Sequence, residues 1–302
     1  MEARAADHQE DRFAPGFRAS VVGLGVNGGL AVVKLVVGIA GDSHALVADA
    51  IESLGDIFSS LIVWSGLSIA ARPADANHPY GHGKAEPLAA LCVAGMLLAA
   101  AVTIAIQAIH EIRTPHHAPA AYTLVVLLGV VAIKESLFRY AIRAGQRIGS
   151  TAVSADAWHH RSDAITSAAA AIGITIALLG GPGYEPADDW AALVACGIIA
   201  FNAARFIRTA VGELMDTRPN LALAEGIPAA VLRVPGAKGV EKILLRKMGP
   251  HVYVDLHLEV DPTLSVRDAH LISHNVKDAI RAAYPQIADV LIHVEPAGHE
   301  RS

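Results

Sequence analysis

Charge is scarce in this chain: Asp, Glu, Lys and Arg together make up 18% of its 302 residues, and aromatic residues only 5%. Its two cysteines, Cys92 and Cys196, lie far apart in separate apolar stretches, which excludes a disulfide scaffold and a thiolate zinc cluster. Positive charge is not in excess either. With 24 Lys and Arg against 29 Asp and Glu, the formal charge is −5, so no basic field exists to hold nucleic acid and no nucleic-acid partner is expected. The sequence also lacks H-E-x-x-H, a Walker A loop and a G-x-S-x-G elbow, which removes the common signatures of metalloprotease, NTPase and esterase chemistry. What it does have is 53% apolar residues, a mean hydropathy of +0.41 and 15 histidines.

The apolar residues collect into six stretches near 18–40, 45–70, 87–110, 121–143, 153–180 and 187–211. Crossing the hydrocarbon of a bilayer takes about 20 such residues in a helix, so the spacing predicts six transmembrane helices. Positive residues in the connecting segments set the orientation. Arg4, Arg12 and Arg18 precede the first span, Arg72 and Lys84 follow the second, and Arg139, Arg143 and Arg147 follow the fourth, whereas the opposite segments hold only Arg113. Both termini are therefore expected in the cytoplasm, with the chain integral to the plasma membrane, the inner membrane if bacterial. Residues 1–17 mix acids and bases with no apolar core, so no cleaved signal peptide is expected. The expected organisation is a cytoplasmic tail over 1–17, a six-helix transport domain over 18–212 and a small cytoplasmic domain over 213–302.

Two of the spans share a motif. Residues 48–56, from Ala48-Asp49-Ala50 to Glu52 and Asp56, align with residues 155–163, from Ala155-Asp156-Ala157 to His159 and Asp163, both reading A-D-A-x-[E/H]-x-x-x-D. A spacing of four puts Glu52 with Asp56, and His159 with Asp163, on single helix faces. An ionised carboxylate deep in a bilayer costs about 2.5–3.5 kcal/mol on insertion scales, so this many acids need compensation. If the two helices face each other, three carboxylates and an imidazole form a four-ligand set suited to a divalent transition metal. The competing reading is polar helix packing, with Asp49 or Asp156 capping a helix and His160 and Arg161 facing water. Asp49 and Asp156 are in either case read as structural. Carboxylates and imidazole bind metal only when deprotonated, so the same set outlines exchange of a metal for protons.

Two further clusters stand outside the spans. Asp75, His78 and His82 occur within the Pro- and Gly-rich segment between the second and third spans. They form either a second cation site or a tight loop whose histidines hydrogen-bond to backbone. After residue 213 the pattern becomes that of a soluble α-β-β-α-β domain: a helix over 221–234, a strand over 240–246, an alternating strand over 251–260, a helix over 265–284 with Ser265 as N-cap, and a strand over 289–295. His257, His270, His293 and Glu295 could meet at one edge of it, with His274 a turn beyond His270; isolated surface histidines are the alternative.

The quartet, the run His78-Pro79-Tyr80-Gly81-His82-Gly83-Lys84-Ala85-Glu86, and the tail segments Val254–Leu258 and Ile292–Pro296 together resemble the cation diffusion facilitator family over roughly residues 20–296. The resemblance implies a homodimeric exporter, not an enzyme, that moves Zn²⁺, or Fe²⁺, Cd²⁺ or Mn²⁺, out of the cytosol against protons by alternating access. No prosthetic group is implied; the ion is cargo and regulator, and the partners are metal, protons and lipid. Carried over by position, the transport site is Glu52, Asp56, His159 and Asp163, the loop site Asp75, His78 and His82, and the tail site His257, His270, His293 and Glu295 with Glu241 added. Lys84 resembles the family's loop lysine, with Asp216 as its salt-bridge partner. Two other classes stay in view: an intramembrane metal-dependent hydrolase built on Asp56, His159 and Asp163, and a membrane metal sensor through which nothing crosses.

Overall fold

The computed structural model describes residues 2–40, 44–113, 123–180, 184, 187–219 and 221–298. Six long helices come first: α1 (Glu2–Ala40), α2 (His44–Ala70), α3 (Ala85–Arg113), α4 (Thr123–Ile148), α5 (Thr151–Gly180) and α6 (Ala187–Leu214). They are followed by α7 (Leu221–Val231), β1 (Ala237–Met248), β2 (His251–Val260), α8 (Val266–Ala283) and β3 (Ile287–Pro296). The chain divides after Val211 into two compact units.

Each expected span corresponds to one of the six helices. Among the described residues, Phe13–Val33, Ala85–Arg113 and Asp189–Leu214 are long and apolar enough to cross a membrane by themselves. Helices α2, α4 and α5 carry the ionisable residues discussed below. Helix α1 begins at Glu2, ahead of the expected first span, since Glu-Ala-Arg-Ala-Ala is a run of strong helix formers, and it passes through Pro15.

Small residues let the helices approach. The core of the first unit is built around Ala89, Ala90, Ala141, Ala152, Ala155, Ala157 and Ala210, with Phe13, Val63, Leu67, Val93 and Phe138 filling the space between them. Van der Waals fit, rather than hydrophobic contrast, holds helices together where the surroundings are also apolar. At Gly66 a Cβ would lie 2.4 Å from Ala89 Cβ, so the α2–α3 crossing requires glycine there. Helix α6 meets α3 through Leu97, Ala101, Ile199 and Ala203. Large apolar side chains point outward, among them Val125 at 75% and Leu179 at 85% exposure, as a lipid-facing surface requires.

The second unit is a two-layer sandwich in the expected order. The sheet runs β1-β2-β3, with β1 antiparallel and β3 parallel to β2. Val254, Leu256, Leu258 and Val290 pack beneath Ile227 and Val231 of α7 and Val276 and Ile280 of α8. Strand alternation sends Asp255, His257 and Glu259 to the face opposite the α7 and α8 core. Ser265 caps α8 by accepting from the Asp268 amide.

Candidate metal sites

The i, i+4 spacing on α5 holds His159 and Asp163 on the stripe that meets α2. His159 Nε2 lies 2.9 Å from Asp56 Oδ1, and ligand atoms of Asp56, His159 and Asp163 all fall within 4.8 Å of one another. Asp56 and His159 are buried. Glu52 stands one turn before Asp56 on α2, but its side chain and that of Asp49 are outside the described residues. Three of the four expected ligands are thus brought together.

Asp156 points elsewhere. It accepts from Ser59 Oγ at 2.7 Å and Ser60 Oγ at 3.3 Å on α2, with His160 Nε2 3.8 Å away. These contacts form a polar seam between α2 and α5, and Asp156 is not among the grouped ligand residues Asp56, His159 and Asp163. His160 does not face water: it is 1% exposed. Arg161 stacks over Phe138 and Trp158, 4.4 and 5.2 Å from the ring centroids.

The site contains a residue that spacing arguments passed over. Lys134, on α4, donates to Asp56 Oδ2 at 2.5 Å, Asp163 Oδ2 at 2.9 Å and Asn27 Oδ1 of α1 at 3.2 Å. A lone ammonium within the apolar run of a span was the available signal, since intramembrane ionisable residues are costly unless they serve a site. Asn27 carried no comparable signal.

In the loop, Asp75, His78 and His82 also place ligand atoms within 4.8 Å. Both readings of this segment find support. Asp75 Oδ1 accepts from the amides of His78 at 2.7 Å and Asn77 at 2.9 Å, an Asx turn that fixes the backbone. His82 Nδ1 contacts the Pro73 carbonyl at 3.2 Å, leaving Nε2 directed at Asp75 Oδ2, 3.4 Å away. A backbone carbonyl on one ring nitrogen is how ligating histidines are commonly oriented. The His78 amide holds the Asp75 carboxyl below the usual carboxylate range, so this corner stays anionic at neutral pH.

The tail residues divide between two faces. Glu241, His257 and Glu295 gather within 4.8 Å, with His257 Nδ1 2.5 Å from Glu295 Oε1 and the His293 ring 5.1 Å from that of His257. A register shift between Val240 and Lys242 falls at Glu241 and turns its side chain toward His257. The structure sets His270 apart from this cluster. It lies on α8, on the covered face, with Nε2 3.2 Å from His274 Nε2, in a pocket with Val290 and Ile292. The reason is strand alternation: Val290 and Ile292 face the helix, whereas His293 and Glu295 face away. Lys84 and Asp216 fall in different units, and their pairing stays an expectation.

Comparison with known proteins agrees with the architecture. Residues 20–215 match the cation efflux transmembrane domain, and residues 221–297 match the cytoplasmic domain of cation efflux proteins. Metal tolerance protein C1 of Arabidopsis thaliana is 34% identical over 310 residues, covering 96% of this chain; the chain spans only 65% of that relative's length. The manganese efflux system protein MneP of Bacillus subtilis is 31% identical over 267 residues, covering 87% of this chain and 90% of that protein. A solved structure of a MamM-CTD variant is 31% identical and covers 25% of this chain and 94% of its own, with a TM-score of 0.24. With matches that together span both units, the chain belongs to the cation diffusion facilitator family of cation efflux proteins.

Proposed function

We propose that the protein exports a divalent transition metal from the cytosol in exchange for protons, using Glu52, Asp56, His159 and Asp163 as the transport site. The observation that carries this reading is the convergence of Asp56, His159 and Asp163 from two non-adjacent helices inside the helical unit. Zn²⁺ suits a four-ligand set of this kind. Three carboxylates to one imidazole also admit Mn²⁺, Fe²⁺ and Cd²⁺, and the manganese named for the Bacillus subtilis relative favours including Mn²⁺ in any comparison. Metal loading displaces protons from these ligands, and protons entering from a more acidic exterior displace the metal, which couples the two fluxes. Alternating access of the helices around the site then carries the ion across.

The protein acts as a homodimer in the plasma membrane with both termini in the cytoplasm; the similarity of its tail to cytoplasmic efflux domains supports this arrangement. Metal held by Glu241, His257, His293 and Glu295 regulates transport by favouring one arrangement of the paired tails, provided the ion binds that arrangement more tightly. The loop residues Asp75, His78 and His82 form a third, more exposed cation site.

Purified protein in proteoliposomes tests the central reading. A pH gradient is expected to drive uptake of Zn²⁺ or Mn²⁺, and Asp163→Ala or His159→Ala is expected to abolish it while the dimer persists in size-exclusion chromatography. Undiminished flux in both variants removes the quartet from the mechanism. Competition among Zn²⁺, Mn²⁺, Fe²⁺ and Cd²⁺ in the same assay ranks the ions.

A further inference from the structure

We propose that Lys134 is a built-in counter-cation of the transport site: its ammonium occupies the ion-free site and must release Asp56 and Asp163 before a dication can bind. The inference rests on the transport-site reading above and concerns what sets the affinity of that site.

Its basis is the geometry of Nζ. Each of the three ammonium hydrogens has an acceptor: Asp56 Oδ2 on α2, Asp163 Oδ2 on α5 and Asn27 Oδ1 on α1. Lys134 is 3% exposed, and its charge is neutralised by carboxylates that belong to the candidate ligand cluster. It thus contacts two of the three clustered residues in the manner of a bound cation. A metal ion sits about 2.0–2.2 Å from carboxylate oxygens. It would therefore compete with Nζ for Asp56 and Asp163 and repel it at close range in a poorly screened interior.

Lysine suits such a role better than arginine would. Its charge is a point on a flexible four-carbon stem, and it can turn away without breaking a planar bidentate contact. Asn27 Oδ1 offers it a neutral acceptor to keep when the carboxylates are taken by metal. Glu52, Asp56 and Asp163 carry three formal negative charges in sequence, so one ammonium beside a dication leaves the loaded site balanced. Without the dication, Lys134 leaves fewer uncompensated buried carboxylates than an uncharged residue would. The lysine thereby weakens metal binding, which favours release on the far side of the membrane.

The test compares wild type with Lys134→Gln, Lys134→Arg and Asp163→Ala as full-length protein in detergent, titrated calorimetrically with Zn²⁺ at one fixed pH. Binding lost in Asp163→Ala defines the membrane site and separates it from the loop and tail. At that site Lys134→Gln is expected to bind about 10- to 100-fold tighter than wild type, from loss of one nearby like charge. Lys134→Arg, which keeps the charge, is expected to stay within about threefold of wild type. Each variant is also prepared with and without Zn²⁺, because a metal that takes over the lysine's charge should raise the unfolding temperature of Lys134→Gln more than that of wild type. Unchanged or weaker Zn²⁺ binding by Lys134→Gln overturns the inference and leaves the transport site standing. So does a Lys134→Gln variant that fails to fold even with Zn²⁺ present, since the lysine would then be a structural tie between helices. If Asp163→Ala removes no binding event, the transport-site reading itself has failed.

Discussion

Glu86 is fully buried in the first turn of α3, where its Oε1 accepts from the Ser150 hydroxyl at 2.8 Å and the Ala152 amide at 2.7 Å. Ser150 Oγ in turn accepts from the Val153 amide. One carboxylate thus satisfies the start of α5, where unpaired amides would otherwise be left, and its charge suits the positive end of the helix. Glu86→Ala is expected to destabilise the protein by about 1–3 kcal/mol, the cost of orphaning buried donors. Glu86→Gln, which keeps an acceptor, should lose less. Thermal unfolding of the detergent-solubilised protein orders the two variants. The same residue ends the His-Pro-Tyr-Gly-His-Gly-Lys-Ala-Glu run, and no linear pattern marks it as reaching across to another helix.

Among the elements, α8 illustrates how local signals and packing cooperate. Ser265 accepts from the Asp268 amide and also donates to Asp268 Oδ2 at 2.6 Å, while Val276 and Ile280 anchor the helix in the core. Replacing Ser265 by Ala should cost about 1 kcal/mol of helix stability. Hydrogen exchange would show this as faster exchange in the first turn of α8 with the later turns unchanged. Close approach between α1 and α2 is set at Gly23, where a Cβ would stand 3.0 Å from Ser60 Oγ; among the described residues, Gly25, Gly28 and Gly29 meet nothing within 4 Å. Among the described residues, the glycine-rich stretch thus shows a close crossing at one of its four positions.

Across the whole molecule, metal-binding potential is spread over both units. The tail cluster of Glu241, His257 and Glu295 lies on the sheet face opposite α7 and α8, whereas the membrane cluster lies inside a helical bundle. His257→Ala is expected to reduce the number of metal ions bound per protomer and to slow pH-driven uptake without eliminating it. A complete block of flux would make the tail part of the transport path rather than its regulator. The six apolar helices, the order of the tail elements and the grouping of Asp56 with His159 and Asp163 were all legible in the linear chain, because periodicity and the cost of buried charge are local properties that a residue pattern records. Which partners Lys134 and Asn27 take in the membrane cluster, how Glu241 is turned toward His257, and why His270 is set apart from them, were decided by packing. These depend on which faces of separate elements meet, through helix packing, a strand irregularity and the alternation of a sheet covered on one side.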